Sequence, residues 1–334
     1  MAVMNNIKVT ICVPVYGVEK YIEKCAISLF EQTYPSIEYV FVNDNTPDKS
    51  IEILESVVER YPNRKPYVRI ISHEKNRGLA AARNTAVDTV TTEFLMHVDS
   101  DDWVDKNLVN ELVLMQKKNN ADIVTADAIA YYPNKKKAFK VLRTTNAKEL
   151  TLNTIWGTLR TQVWGRLIRK KLYTDNNIRV VEGCNLAEDY QVMPKLIYFA
   201  QKVEWTDNAY YHYIGLNPSN YTNNFSLKNY EQSIQSFQIV YDFFSDKGFE
   251  YFDMCRKSEM SSWFGRLRTS LLQGNKFKDI SIAAKSKIRH LNKRYMSVVP
   301  IYIRIIYYLP INVARLYLKF IINVENNIRS ISKK

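Results

Sequence analysis

Five short apolar, β-branched runs, at 7–15, 37–42, 67–72, 93–98 and 121–126, alternate with stretches of helical spacing at 19–32, 47–60, 78–90 and 105–118. Strands separated by helices imply βαβ units and a mainly parallel sheet covered on both faces, an αβα sandwich of the α/β class. In such sheets ligands sit outside the carboxyl ends of the strands. The polar residues that close these runs are therefore the ones that matter most: Tyr16, Asn43-Asp44-Asn45, and Asp99 to Asp102.

The 334 residues suit one large domain, or a catalytic domain with an elaborated tail. Hydrophobic residues make up 46% and charged residues 24%, which predicts a packed core. Nine glycines and ten prolines are too few for a linker-rich or disordered chain. Cys12, Cys25, Cys184 and Cys255 form no C-x-x-C pair, so they are expected as buried free thiols of a reducing compartment, not as a disulfide framework or zinc site. The first sixteen residues lack the charged and apolar regions of a signal peptide. Beyond ~130 the pattern is less regular. Its landmarks are Trp164-Gly165-Arg166-Leu167, Ala187-Glu188-Asp189-Tyr190 and the aromatic run Tyr210-Tyr211-His212-Tyr213. The stretch 226–295 reads as helices with polar faces.

Three carboxylates within Asp99-Ser100-Asp101-Asp102 repel one another unless they are solvated or neutralised by a cation. Hard oxygen donors suit Mg²⁺ or Mn²⁺, which take one or two carboxylates together with substrate phosphates. The bland alternative is a surface turn with an Asp capping the next helix. Asp44 can accept a hydrogen bond from a nucleobase or ribose, or cap the helix that follows. In the segment Asn76 to Asn84, Arg77, Gly78 and Arg83 stand at a helix start, where both arginine and the helix dipole favour phosphate.

Together these segments resemble glycosyltransferase family 2, the inverting nucleotide-sugar transferases of the GT-A fold. The matching pieces are Val13-Pro14-Val15-Tyr16, Gln32-Thr33-Tyr34-Pro35, Val42 to Asp48, Asn76-Arg77-Gly78 to Arg83-Asn84, and Asp99-Ser100-Asp101-Asp102-Trp103, within a resemblance covering roughly 7–215. The chain departs from the family pattern at Asn43-Asp44-Asn45, where Asp-Asp-Gly is usual, and at Ile214, where arginine is usual.

The resemblance implies a GT-A catalytic domain over 1–225, with a nucleotide-binding half at about 7–130 and an acceptor half at about 131–225. It also implies a site. Pro14, Val15, Tyr16 and Asp44 would hold the base, expected as uracil because UDP is the family's commonest nucleotide; Arg77 or Arg83 would support the nucleotide or its phosphates; Asp99 and Ser100 would contact the donor. Asp101 would bind Mn²⁺ or Mg²⁺, with Asp102 as an alternative ligand and His212 reaching the metal from the far side. Asp189 would be the catalytic base, its pKa raised by Glu188 beside it. Trp164 and Arg166 would line the acceptor side. His73, His97 and His290 are expected to be structural.

The formal net charge of +13 is uneven. The last fifty residues hold eleven Lys/Arg against one acid, Glu325, a net of +10. The apolar run 298–311 is broken by Pro300, Arg304 and Pro310, too interrupted to span a bilayer. In 311–324 the polar residues Asn312, Arg315, Lys319 and Asn323 form one narrow stripe, as in a helix lying in a membrane interface; the alternative is a C-terminal helix packed on the body with snorkelling charges. The chain is thus divided into the catalytic domain, a helical extension at 226–295 and a basic membrane-associating tail at 296–334.

The function expected is a metal-dependent, hexosyltransferase-type glycosyltransferase at the cytoplasmic face of the cell membrane. It would move a sugar from a UDP-sugar to a saccharide or lipid-linked saccharide in bacterial capsule, exopolysaccharide or lipopolysaccharide synthesis. The alternative is a nucleotidyltransferase on a related fold, although Pro14 to Lys20 is a poor glycine-rich phosphate loop. Nucleic-acid binding is disfavoured, because the basic residues cluster in an apolar tail and not over the body.

Overall fold

The computed structural model describes residues 7–132, 135–140, 143–144, 146–157, 161–215 and 226–331. The expected domain limit at 225 and the last residues of the tail, 332–334, lie outside them. The described chain forms two compact units, Met1–Val240 and Tyr241–Lys334.

The first unit opens with the expected alternation: β1 (Val9–Val15), α1 (Ile22–Phe30), β2 (Ile37–Asn43), α2 (Ser50–Glu59), β3 (Val68–Ser72), α3 (Leu79–Thr89) and β4 (Phe94–His97). It continues through β5 (Trp103–Val104), α4 (Leu108–Asn119), β6 (Ile123–Tyr132), β7 (Lys135–Phe139), α5 (Ala147–Trp156), β8 (Arg166–Arg169), α6 (Lys171–Thr174), α7 (Glu188–Phe199) and β9 (Val203–Ile214). The nine strands form one sheet in the order β3-β2-β1-β4-β8-β6-β9-β5, with β7 paired to β6. The strands β3, β2, β1 and β4 are parallel throughout. Beyond β4 the sheet is mixed, since β8 runs antiparallel to both β4 and β6 while β6 and β9 are parallel.

The strands are apolar in unbroken runs because both faces are covered, and residue parity decides which core each side chain joins. Ile11, Val13, Tyr39 and Phe41 enter one core with Leu29, Leu54 and Leu112, whereas Cys12, Val40 and Val42 enter the other with Ala82, Ala86 and Leu196. The alanines of α3 let that helix lie close against the sheet. All four cysteines are free and buried.

Helix α8 (Leu227–Phe244) crosses from the first unit into the second. The second unit contains α9 (Phe249–Gln273), α10 (Lys278–His290), α11 (Ile301–Tyr308) and α12 (Ile311–Ile331). Its interior includes Phe264, Leu267, Ala284, Ile288, Ile306, Ala314 and Leu318. The stretches divided in sequence at 295/296 therefore pack in one unit. Lys285 Nζ donates to the carbonyls of Tyr307 and Leu309, where α11 ends, and Arg315 Nε donates to the Leu271 carbonyl at 3.0 Å. Cations suit a helix C-terminus because its last carbonyls lack helical partners. No helix among the described residues is long and apolar enough to cross a membrane.

Candidate active site

A cavity of about 290 Å³ opens at the carboxyl ends of β1, β2 and β4. Pro14, Val15, Tyr16, Asp44, Asp99, Ser100 and Asp101 all line it, together with Gly78 from the start of α3. Tyr16, half exposed, stands beside Gly17, whose φ of +66° turns the chain away from β1. A 290 Å³ cleft at strand ends is of the size that holds a small ligand.

Asp44 is buried and organises the loop before α3. Its Oδ1 accepts from Arg77 N–H at 2.8 Å and its Oδ2 from Gly78 N–H at 2.7 Å, while His73 Nδ1 lies 2.7 Å from Oδ1. The other ring nitrogen of His73 meets Thr85 on α3 at 2.9 Å. His73 thus links Asp44 to α3, a place beside Asp44 that gave no sign in the sequence. The Arg77 guanidinium pairs with exposed Glu182 at 2.6 Å, so Arg77 serves Asp44 through its main chain, and its side chain is turned to the loop before α7.

Arg83 is the buried centre of the site. Its Nη2 lies 2.9 Å from Asp99 Oδ1, 3.2 Å from Glu188 Oε1 and 3.7 Å from Asp189 Oδ1. Three carboxylates hold the guanidinium charged despite its burial, with its pKa above the usual arginine range. Asp189 is pushed well above the usual carboxylate range by burial and by the charge of Glu188, with Arg83 opposing. Glu188 and Asp189 open α7, and Ala187 before them takes φ +59°, a left-handed backbone that alanine rarely adopts. That kink aims the first turn of α7 at Arg83.

Asp102 departs from its expected role. Its Oδ2 accepts from Tyr211 O–H at 2.7 Å and its Oδ1 from Ile214 N–H at 2.6 Å, so both oxygens face β9 and not the cavity. Burial and the nearby Asp101 and Asp99 raise its pKa. Tyr211 also accepts from Asp99 N–H at 3.0 Å, tying the acidic run to β9. His212 departs too. Its Nε2 lies 2.8 Å from Asp105, its Nδ1 3.0 Å from Tyr131 O–H, and its ring stacks on Trp103 at 5.0 Å. With both nitrogens engaged it has no free donor for a metal. Trp164, expected to line the acceptor side, is 6% exposed and stacks on Tyr211 at 4.2 Å and on Tyr213 at 5.7 Å. Arg166 lies buried, donating to Thr125 Oγ1 at 2.9 Å and the Gln162 carbonyl at 2.8 Å. It lines a second cavity, of about 300 Å³, with Thr125, Lys137 and Trp205.

Among the described residues no three His, Cys, Asp or Glu side chains gather into a cation cage. Asp99 and Asp101 both line the cavity, with Asp99 Oδ1 held by Arg83 at 2.9 Å. That donor set fits Mg²⁺ or Mn²⁺, whose remaining ligands are commonly substrate phosphates and water.

Asn185 gave no signal in the sequence. Its Oδ1 accepts from Ala80 N–H at 3.0 Å, capping α3 from 105 residues away. A Cβ on Gly78 would come within 2.3 Å of the Asn185 amide, and Gly78 has φ +90°.

A parallel half-sheet with an acidic run beyond β4, and an acid pair brought to the same arginine, define a glycosyltransferase of the GT-A fold. The chain belongs to glycosyl transferase family 2, whose model matches residues 10–177. It is 33% identical over 212 residues to the uncharacterized glycosyltransferase EpsJ of Bacillus subtilis, covering 61% of this chain and 60% of that one. It is 26% identical over 217 residues to the minor teichoic acid biosynthesis protein GgaB of the same organism, covering 62% of this chain and 23% of that one. These matches span less than two thirds of the relatives' own length. The fold matches S. aureus TarS residues 1–349 in complex with UDP-GlcNAc, with a TM-score of 0.71 and 21% identity over 94% of this chain and 91% of that one. Family membership sets aside the nucleotidyltransferase alternative.

Proposed function

We propose that the protein is an inverting transferase that moves a sugar from a UDP-sugar to a saccharide acceptor, lipid-linked at the inner face of the cell membrane, in bacterial surface-polysaccharide synthesis. The observation that carries this reading is the Arg83 bridge, which joins Asp99 of the cavity to Glu188 and Asp189 at the start of α7. A donor-side group and a base are thus held on one buried guanidinium. The UDP-GlcNAc complex of the TarS neighbour supports a uridine diphosphate donor, and the teichoic acid relative supports a surface-glycan product.

In the proposed reaction the acceptor hydroxyl attacks the anomeric carbon from the face opposite the diphosphate. The bond between that carbon and the diphosphate oxygen breaks, its electron pair leaving with the nucleotide, while the hydroxyl proton passes to the Asp189 carboxylate. The raised pKa of Asp189 makes it a stronger base than an ordinary carboxylate. Tyr16 and Val15 flank the nucleoside, and Asp44 fixes the loop against which it lies. Asp101, with Asp99 beside it, would hold Mn²⁺ or Mg²⁺, which would supply positive charge to the leaving diphosphate. Turnover of a panel of nucleotide sugars, with and without Mn²⁺, tests the reading. Hydrolysis or transfer confined to a UDP-sugar supports it, and activity only with another nucleotide overturns the donor.

A further inference from the structure

Helices α11 and α12 leave an apolar surface that their own unit does not cover. On α11, Ile301, Ile305 and Tyr308 fall on one stripe, with Ile301 71% and Tyr308 69% exposed. On α12, Val313, Leu316, Phe320 and Val324 form a second stripe, with Leu316 69% and Phe320 66% exposed. The inward faces are satisfied separately, by Ile306 on α11 and by Ala314 and Leu318 on α12. The broad apolar side of α12 is therefore two faces, one packed and one bare. A groove of about 380 Å³, lined by Phe264 and Arg268 of α9, Ile303 of α11 and Leu318 of α12, belongs to the packed side and takes in neither bare stripe. Large apolar side chains grouped along one stripe of a helix are uncommon on the open surface of a soluble monomer.

Charge identifies the occupant. Lys285, Arg304 and Arg315 are spent on backbone carbonyls. Lys287, Arg289, Lys293 and Lys319 stay exposed in the same unit, within a fifty-residue stretch of net charge +10. A second copy would set this positive field against itself. An anionic lipid surface complements it, and Tyr302 and Tyr308 have the amphipathic rings favoured at headgroup depth. We infer that the bare face of α11 and α12 lies flat in the interface of an anionic bilayer, with Ile301, Tyr308, Leu316 and Phe320 entering the headgroup boundary. This names the contact surface for the membrane part of the proposed function, on which it rests, and it does not depend on the sugar chemistry.

The test is co-sedimentation of the full chain with phosphatidylcholine vesicles, with and without phosphatidylglycerol. Binding to the anionic vesicles is expected, falling about tenfold or more in a Leu316→Asp, Phe320→Asp double variant of unchanged circular dichroism. The milder Leu316→Ser, Phe320→Ser pair serves if the aspartates unfold the unit. Equal binding by wild type and variants, or binding to neither vesicle, overturns the inference. Dimerisation in light scattering that the variants abolish, without vesicle binding, assigns the face to a second copy and also overturns it. Vesicle binding with no sugar transfer to any acceptor would sink the proposed reaction and leave the docking face standing.

Discussion

Arg83 and Glu188 stand 105 residues apart in the chain and meet through Arg83 Nε and Glu188 Oε1 at 3.2 Å. Because the same guanidinium holds Asp99, this contact fixes the distance between the acidic run after β4 and the acid pair on α7. Replacing Arg83 with Met leaves three acids crowded around an empty buried position. The expected cost is about 3–5 kcal/mol of stability, measured by urea unfolding, with loss of transfer. Arg83→Lys is not expected to rescue activity, since one ammonium cannot replace a planar fork that engages several carboxylates.

Asp189 is the base in the proposed reaction. Asp189→Asn is expected to lower kcat by about 10²–10⁴ while leaving nucleotide binding, measured by calorimetry, nearly unchanged. Retention of full turnover would remove the assignment.

The pKa of Asp189 also sets two pH dependences. Activity should rise with pH along a limb above the ordinary carboxylate range, because the base must be ionised. Glu188→Gln removes the neighbouring charge and should shift that limb to lower pH. Stability runs the other way. The folded state binds the Asp189 proton more tightly than the unfolded chain, so this residue's contribution is largest below the ordinary carboxylate pKa. It declines as pH rises from there to the raised folded value. Asp189→Asn should therefore flatten the fall in Tm across that window.

The turn into α3 has no room for a side chain at Gly78. Gly78→Ala meets both the +90° φ and the Asn185 amide at 2.3 Å, and should cost about 1–3 kcal/mol. Adding Asn185→Ala relieves the clash but not the φ strain, and itself removes the cap on Ala80 N–H. A double-mutant cycle should show a favourable coupling of about 0.5–3 kcal/mol between the two sites.

If Asp101 holds the cation, Asp101→Asn should raise the Mn²⁺ concentration needed for half-maximal transfer by about tenfold or more, and a chelator should abolish wild-type turnover. Asp102→Asn should leave that metal requirement unchanged, because both oxygens of Asp102 are turned to Tyr211 and Ile214.

The parallel half of the sheet was legible in the sequence because its signals are local. Each strand is a continuous apolar run bounded by turn residues, each crossover is a helix of ordinary spacing, and a parallel sheet exposes the strand ends where ligands gather. Pro14 to Tyr16, Asp44 and Asp99 to Asp101 stand at those strand ends, and one cavity gathers them. Side-chain direction was not legible. Asp101 and Asp102 are neighbours with the same chemistry, yet Asp101 lines the cavity while Asp102 turns to β9, because the hydroxyl of Tyr211 and the amide of Ile214 lie there. His212 and Trp164 were taken up by Asp105, Tyr131 and Tyr211 for the same reason: their partners are distant in sequence and only the mixed half of the sheet brings them near. The sequence by itself determined the alternation, the strand-end acids and the amphipathic tail, all set by periodicity and composition. Only the tertiary structure decided which acids share Arg83, which loop caps α3, and which half of α12 remains bare, since each depends on partners that no local pattern encodes.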